Sequence, residues 1–522
     1  MLRLNYKIVS QFIKKVYINL VVFLLINQEN LLIRKERFMQ LQQLIQDLKF
    51  KGIKNYKNLD IENLTNDTKQ INTNGIYFCL KGSKIDGHNL ADKAIKQGAT
   101  CLVVERFLDL PVTQILVDNS RRAMSSLSAK FYDFDKSNIK FIGVTGTNGK
   151  TTTSFIVREI LKCLGCRVGM IGTEGIYNGD IKIPNPMTTP DPIQLHKIIH
   201  DMDLNDIEYV VMEVSAHALA LNKVDSIMYD SVGLTNITQD HLDYFMNMEN
   251  YAKAKSLLFD SNHSKNAIIN IDDKYTRAIC RKAEVSVSSL SLNKIADITV
   301  EDENYNVDGT KAIIKYFDNP YLINTNLVGE YNLANTIMAM SLVANLGFDF
   351  SSIVQAVNNT KFYVPGRLNI IKTPKCSVVI DYAHTPDGIE KILSTLNTLK
   401  KGRLIVVFGC GGNRDSDKRP KMGAVATKLA DYTVITSDNP RFENPLQIIH
   451  DIERGVVSNN YSVKPNRRDA ISLALDKAGK DDIIAIVGKG AEDYQEINDI
   501  KYQYSDYEVV DKYFDNSNEL TK

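Results

Sequence analysis

The stretch from Ile139 to Gly165 leaves this chain few folds to choose from. It opens with "IKFIGV", a short apolar run rich in β-branched and aromatic residues, which predicts a buried strand. "GVTGTNGKTTT" (Gly143–Thr153) follows, and "TTTSFIVREILKCLG" then sets Phe155, Ile156, Ile160, Leu161 and Leu164 on one helix face, with Gly165 at a natural stop. A strand, a glycine-rich turn and a helix N-terminus aim backbone N–H groups and a positive dipole end at one spot, where an anion is held. The spacing departs from the common phosphate loop, whose first glycine stands six residues before the lysine; here that position is Val144. What remains is a tighter core, Gly146-Thr147-Asn148-Gly149-Lys150-Thr151, with an extra glycine at Gly143. Gly146 and Gly149 let the backbone approach a phosphate closely, Lys150 reaches outer phosphates, and the Thr151 or Thr152 hydroxyl suits Mg²⁺. The stretch predicts a nucleotide site.

At 522 residues the chain is too long for one core, and length points to about three domains. Apolar content of 44% and charged content of 24% are those of a soluble globular protein. Lys+Arg 63 against Asp+Glu 62 leaves no excess of charge to recruit nucleic acid or an acidic membrane. Seven scattered cysteines imply no disulfide framework and fit a reducing cytoplasm. Cys163 and Cys166 form an isolated C-x-x-C, read as core packing, and "HKIIH" (His196, His200) has Lys197 where a metalloprotease needs its glutamate base. "VYINLVVFLLI" falls short of the ~20 residues a membrane span needs, and no small-residue cleavage site follows it. "MQLQQLIQDL" from Met39 reads as a natural start with an amphipathic helix, so residues 1–38 are expected to be an upstream artefact or a loose extension rather than an anchor.

Alternating strand and helix signals divide the remainder. Residues 39–118 ("GIYFCL", "NLADKAIKQGA", "TCLVVE", "QILVD") predict a small α/β domain. Residues 119–364 carry the loop and then "RVGMIG", "YVVMEVS", "SVGLTNI" and "NAIINI", the pattern of a mainly parallel sheet covered by helices. Residues 365–522 restart it with "CSVVIDYA", "GRLIVVFGCGG", "DYTVITSDNP" and "DDIIAIVGKG", a second, Rossmann-like α/β domain. Ligand sites in open α/β sheets lie beyond the strand C-termini. "VVMEVSAHALAL" places Glu213 there, and "LTNITQDHLDYF" places Asn236, Asp240, His241 and Asp243. Beside a phosphate loop, Glu213 and His241 are the candidate Mg²⁺ ligands.

"TGTNGKT", "EVSAHAL", "NITQDHLDY", "GEYNLANTIMA", "VPGRLNII" and "DYAHTPDGIE" occur in the order seen in Mur ligases, the ATP-dependent amino-acid-adding enzymes of peptidoglycan synthesis, and the chain resembles that family from Met39 to its C-terminus. The tight loop spacing is the family's own. "CGGNRDSDKRP", "SDNPR" and "GKGAEDYQ" are similar to members that add the third residue of the stem peptide. The resemblance implies that ATP phosphorylates the free carboxylate of UDP-MurNAc-L-Ala-D-Glu and that an incoming amine displaces phosphate. It assigns ATP to Gly146, Thr147, Asn148, Gly149, Lys150, Thr151, Thr152, Asn332, Arg367, Asp381 and His384, with Asn335 nearby. Lys150, Glu213 and His241 become catalytic with Lys255, which matches the family's carbamylated lysine, a ligand for a second Mg²⁺. Thr68, Ser83, Lys84, Thr188, Thr189, Ser215 and Lys223 align with the UDP-muramyl-dipeptide contacts, although Asp67-Thr68-Lys69 replaces Asp-Ser-Arg, and Leu221 and Ala491 depart from the family.

Arg414, Asp438, Asn439, Pro440, Arg441, Gly488 and Glu492 match the site for the added amino acid. A guanidinium at 441 reads a distal carboxylate through two parallel hydrogen bonds, and lysine-adding members lack it. The resemblance therefore favours meso-diaminopimelate over L-lysine, with Glu492 suited to a distal ammonium. A folylpolyglutamate synthase-like ligase is the alternative, disfavoured by "DTKQINTNGIYFCLKGSKIDGHNL" before the loop. A cytoplasmic monomer, binding neither nucleic acid nor membrane, is expected.

Overall fold

The computed structural model describes residues 37–82, 85–185, 187–306 and 308–519. The expectations for Ser83, Lys84 and the segment before residue 37 lie outside the described residues. The chain forms two compact units that divide after Asp133.

The first unit contains β1 (Gly52–Lys54), β2 (Asn63–Thr65), β3 (Gly75–Phe78), α1 (Ala91–Lys96), β4 (Ala99–Val104), β5 (Thr113–Leu116) and α2 (Ser120–Phe131). Its sheet runs β1-β5-β4-β3-β2, parallel except for the β1–β5 pair. Tyr77, Cys79, Leu102 and Val104 pack under Ala91 and Ala94 of α1. Helix α2, capped by the Asn119 side chain on the N–H groups of Arg121 and Arg122, lays Ala123, Met124, Leu127 and Phe131 inward against β3 and β4. The expected boundary after residue 118 precedes this helix, whose apolar face needs the sheet as cover. The amphipathic helix expected from Met39 is a single turn, Leu41–Leu44. Met39 and Gln40 instead pair with Ile61 and Asp60 as a short ladder, and burial of Leu41, Leu44 and Ile45 pins one turn only.

The second unit begins with β6 (Lys140–Thr145), α3 (Lys150–Cys163), β7 (Val168–Gly172), β8 (Gly175–Asn178), β9 (Ile181–Ile183), α4 (Pro192–Asp203), β10 (Tyr209–Glu213) and β11 (Ser231–Leu234). It continues through α5 (Met248–Ser256), β12 (Asn266–Asn270), β13 (Ser286–Leu290), β14 (Ile298–Asn306), β15 (Gly309–Tyr316), β16 (Asn319–Thr325) and α6 (Glu330–Ala344). These strands make one sheet of order β9-β8-β7-β10-β6-β11-β12-β13-β14-β15-β16, parallel from β7 to β14 and antiparallel at both margins. The strand period of two decides which residue enters which core. In β6, Ile142 and Val144 join α3 and α6 in one core, while Phe141 joins Leu195 and Ile199 of α4 in the other. Both faces being covered, β6, β7, β10 and β11 read as unbroken apolar runs.

A second sheet of the same unit holds β17 (Asn369–Lys372), β18 (Ser377–Asp381), β19 (Leu404–Phe408), β20 (Tyr432–Ile435), β21 (Tyr461–Val463) and β22 (Ile483–Val487), in the order β17-β18-β22-β19-β20-β21. Helices α7 (Pro386–Leu399) and α8 (Lys418–Leu429) cover the face carrying Leu404, Val406 and Phe408. A hairpin, β23 (Tyr494–Ile497) and β24 (Ile500–Gln503), follows. All seven cysteines are free. Cys166 is half-buried, but Cys163 is exposed at the end of α3, against the expected core packing, because the helix turns that position away from the sheet. His196 is buried edge-on to Phe134.

Candidate active site

The loop after β6 closes on itself before it offers anything to a ligand. Gly146 (φ 144) and Gly149 (φ 88) hold left-handed backbone, and a Cβ at either would fall 1.9 Å from Thr235 Oγ1 or 2.4 Å from Asn335 Oδ1. Thr147 N–H donates to Asn236 O at 2.8 Å, Asn148 N–H to Asn236 Oδ1 at 3.0 Å, and Thr235 Oγ1 to Asn148 O at 2.6 Å. The residues after β11 therefore set the shape of the loop. Gly149 caps α3 without a side chain, which leaves the first N–H groups of the helix available to an anion. Lys150 Nζ donates to the loop's own carbonyls, Gly146 O at 3.0 Å and Thr147 O at 2.8 Å. Burial lowers its pKa, with Glu213 and Asp240 pulling the other way.

Glu213, the last residue of β10, is fully buried. Its carboxylate accepts from Thr151 Oγ1 at 2.9 Å, from Thr173 N–H at 2.9 Å and from Thr173 Oγ1 at 3.1 Å. Thr173 also meets the Thr188 hydroxyl at 3.1 Å. Thr189 Oγ1 donates to Glu213 O, and Ser215 caps the next short helix. Arg367 reaches across from the second sheet, its Nη2 donating to Thr151 Oγ1 at 3.2 Å. The Thr151 hydroxyl and the Glu213 carboxylate are thus paired, with His241 on the wall of the same cavity. Among the described residues no cluster of three or more His, Cys, Asp or Glu side chains could cage a metal alone. The set fits Mg²⁺ shared with phosphates and water, which asks the protein for only one or two ligands.

Asp240 forms the junction of the two sheets. Its carboxylate lies 3.3 Å from His241 Nε2, 4.0 Å from His384 Nε2 and 3.7 Å from Lys418 Nζ. Burial works to raise the Asp240 pKa, yet those neighbours and Lys150 hold it well below the usual carboxylate range. Burial pushes His241 down to about 3 and His384 down to about 4. Two further links cross the same seam: Asn148 Nδ2 donates to Asp387 Oδ2 at 2.9 Å, and Gln239 joins Asp415 at 3.3 Å and Lys421 at 2.5 Å.

Lys255, on α5, is 1% exposed and does not border the cavity. Its Nζ donates to Gly146 O at 2.7 Å and sits 4.7 Å from the Tyr251 ring centroid. Burial, reinforced by the charge of Lys150, drives its pKa well below the ordinary lysine value. That environment disfavours the ammonium form, and the neutral amine is the form that adds CO₂.

One cavity of about 930 Å³ takes walls from both sheets. Of the expected nucleotide residues it is bordered by Thr147, Asn148, Gly149, Lys150, Thr151, Thr152, Asn332, Arg367, Asp381 and His384; Gly146 lies behind the wall. Asp381 accepts from Leu368 N–H and Ala383 N–H, both at 2.7 Å, so its oxygens shape the turn before Pro386. Burial raises its pKa, with Arg367 opposing. Arg414, Asp438, Asn439, Arg441, Gly488 and Glu492 border the same space, and Pro440 does not. Asp438 Oδ2 is buried without a hydrogen-bond partner among the described residues. Glu492 Oε2 accepts from Asn439 Nδ2 and Lys489 Nζ, each at 2.9 Å. Of the expected muramyl-dipeptide residues, among the described ones only Thr188 borders the cavity; Lys223 pairs with Asp191 at 2.9 Å, and Thr68 belongs to the first unit, where Asp67 caps its turn. Lys418, Lys489, Asp387 and Thr173 were not singled out from sequence. The first three stand inside quoted motifs, but a buried lysine looks like a surface lysine until its partners are placed.

Three stretches match descriptions of one family: residues 60–132 match "Mur ligase family, catalytic domain", residues 144–343 "Mur ligase middle domain" and residues 366–490 "Mur ligase, glutamate ligase domain". The UDP-N-acetylmuramoyl-L-alanyl-D-glutamate--2,6-diaminopimelate ligase 1 of Clostridium acetobutylicum is 41% identical over 480 residues, 91% of this chain and 99% of that protein. A ligase of the same kind from Clostridium tetani is 38% identical over 480 residues, 90% of this chain and 98% of that protein. A solved structure of a UDP-N-acetylmuramoyl-L-alanyl-D-glutamate--2,6-diaminopimelate ligase is similar with a TM-score of 0.66 and 29% identity, covering 92% of this chain and 99% of its own.

Proposed function

The chain belongs to the Mur ligase family, and from that premise we propose that it is an ATP-dependent ligase adding meso-2,6-diaminopimelate to the D-glutamate carboxylate of UDP-MurNAc-L-Ala-D-Glu. The observation that carries this reading is the shared cavity: a phosphate loop with Lys150 and Glu213 borders the same space as Arg441 and the unpartnered Asp438 carboxylate oxygen. In the first half-reaction the D-glutamate carboxylate oxygen attacks the γ-phosphorus of ATP; ADP leaves and an acyl phosphate forms. The substrate amine then attacks the acyl carbon, a tetrahedral intermediate collapses, and inorganic phosphate carries away the C–O bonding electrons while the amine gives up its proton.

Such transfers need positioning and charge neutralisation more than covalent help. The N–H groups at the start of α3 and Lys150 are set to grip the phosphates, and Arg367 on Thr151 brings a second cation from the other sheet. Thr151, Glu213 and His241 would hold Mg²⁺, which would neutralise the transferred phosphoryl group. Carbamylation of Lys255 would turn that amine into a carboxylate suited to a second Mg²⁺. We assign Asp438 to accept from the substrate ammonium and Arg441 to hold the distal carboxylate. Thr68, Thr188, Thr189, Ser215 and Lys223, with Ser83 and Lys84, are the residues we assign to the UDP-muramyl-dipeptide. No helix among the described residues is long and apolar enough to cross a membrane, and we place the reaction in the cytoplasm, where ATP and nucleotide-linked precursors occur, with the chain acting as a monomer.

Phosphate release measured with UDP-MurNAc-L-Ala-D-Glu against a panel of amino acids tests the reading. Turnover with meso-diaminopimelate and little with L-lysine or L-glutamate is expected. A preference for lysine overturns the donor assignment, and no amide bond with any of them overturns the activity.

A further inference from the structure

We propose that Arg419 is a positioning residue for the incoming amino acid: bonded to both loops that carry the amino-acid groups of the cavity, it fixes the spacing between the guanidinium groups and the carboxylate that a two-headed substrate must meet at once. This rests on the reading of the chain as a diaminopimelate-adding ligase.

Those groups come from two loops that follow neighbouring parallel strands. The loop after β19 brings Gly411 and Arg414 to the cavity, and the loop after β20 brings Asp438, Asn439 and Arg441. The loops shape one another. Gly412 N–H donates to Asn439 O at 2.9 Å, Phe442 N–H to Asn413 Oδ1 at 3.0 Å, and Arg441 Nη1 to Gly412 O at 2.9 Å. They approach so closely that a Cβ at Gly412 would fall 2.0 Å from Pro440 O. Arg441 Nε is held separately, by Glu496 Oε2 at 3.0 Å. Asp438 Oδ1 accepts from Asn439 N–H at 2.6 Å, and its Oδ2 has no partner among the described residues. The aim of that free oxygen therefore follows the backbone of the second loop.

Arg419, in the first turn of α8, reaches both loops from behind the cavity wall. Its Nη2 donates to Gly411 O at 3.4 Å and to the two carboxylate oxygens of Glu443 at 3.0 and 2.8 Å. Its Nη1 donates to Asp451 Oδ2 at 2.9 Å. Glu443, at the end of the second loop, passes the restraint back by accepting from Asn413 N–H of the first. The Arg419 side chain is only 3% exposed, so these charge-assisted bonds are shielded from water. A planar guanidinium can serve both loops and the helix Pro445–Glu453, which carries Asp451; an ammonium, a single point, cannot. Diaminopimelate needs Arg441 at a carboxylate and Asp438 at an ammonium together. A slip of about 1 Å between the loops satisfies one and misses the other. The residues assigned to ATP lie on neither loop.

The test measures KM for meso-diaminopimelate, KM for ATP, kcat and the melting temperature in the wild type, Arg419→Lys, Glu443→Ala and Asp451→Asn. Arg419→Lys and Glu443→Ala should each raise KM for diaminopimelate by about tenfold, the loss expected for one charge-assisted contact, with KM for ATP and kcat within about twofold. Glu443 is 31% exposed, so its variant keeps the test open should Arg419→Lys fail to fold. Asp451→Asn takes a charge from the same guanidinium without touching a loop. It should lower the melting temperature and leave KM for diaminopimelate within about twofold. A structural role alone would lower the active fraction, hence kcat, and leave every KM unchanged. That pattern, an equal rise of both KM values, no change in Glu443→Ala, or a rise in Asp451→Asn as large as in Glu443→Ala overturns the proposal. A wild type that forms no amide bond with diaminopimelate fails earlier and takes the functional reading with it.

Discussion

At the scale of single residues, two buried bases show how the interior sets protonation. Lys255 has a folded pKa well below 10.5, its value when unfolded, because burial and Lys150 disfavour its charge. Between those two values the unfolded chain binds more protons, so stability rises with pH across that window. Lys255→Met should therefore raise the melting temperature by about 2 °C or more, with a larger gain at pH 7 than at pH 10, while abolishing turnover; melting scans in CO₂-depleted buffer check this. Lys255→Ala should recover part of its activity with added formate and none with bicarbonate, if a carboxylate at that position is what the reaction uses. His196 has both ring nitrogens buried without partners among the described residues, and burial pushes it down to about 3. Its neutral form is favoured in the fold, so its contribution is complete above the unfolded value of 6.5 and is lost as pH falls toward 3. His196→Leu should add about 1–2 kcal/mol at pH 7 by removing unsatisfied polar atoms, and should make the acid limb of the stability profile shallower.

Elements explain both what could be read in advance and what could not. The strands at 140–145, 209–213, 404–408 and 483–487 announced themselves because a strand covered on both faces carries no polar alternation. The antiparallel strands β14 and β15 did not: "TVEDENYN" is mostly exposed and acidic, its register shifts between Val300 and Asp302, and its pairing comes from a neighbouring hairpin rather than from an apolar face of its own. The nucleotide loop was legible because its chemistry is local. The Arg441–Glu496 pair was not, because 55 residues separate its partners and neither half is unusual alone. Likewise Asp381 stood at the predicted strand end, yet its oxygens serve backbone N–H groups that only the folded turn brings near. Two predictions belong here. Gly146→Ala forces a Cβ to within 1.9 Å of Thr235 Oγ1 at φ 144, and should cost about 2 kcal/mol or more in stability and at least about tenfold in KM for ATP. Arg367→Lys keeps the charge and loses the reach to Thr151, so KM for ATP should rise several-fold with the stability of the second unit nearly unchanged. Steady-state kinetics and urea titrations separate these outcomes.

For the whole molecule, the division after Asp133 predicts two calorimetric transitions. A non-hydrolysable ATP analogue at about a hundred times its Kd should raise only the transition of residues 134–522, by about 2.7 kcal/mol, because the loop and the groups around it all lie there. A single merged transition, or an equal rise in both, would contradict that assignment. Asn148 to Asp387, Thr151 to Arg367, and Asp240 to Lys418 and His384 link the two sheets of this unit, and all of these residues also border the cavity. The fastening between the lobes and the grip on the reactants are consequently made from the same few side chains. A phosphate that takes Asn148 or Thr151, or an amine that takes Asp240, must compete with a contact that joins the lobes, so substrate affinity and the strength of the seam are set by one group of side chains.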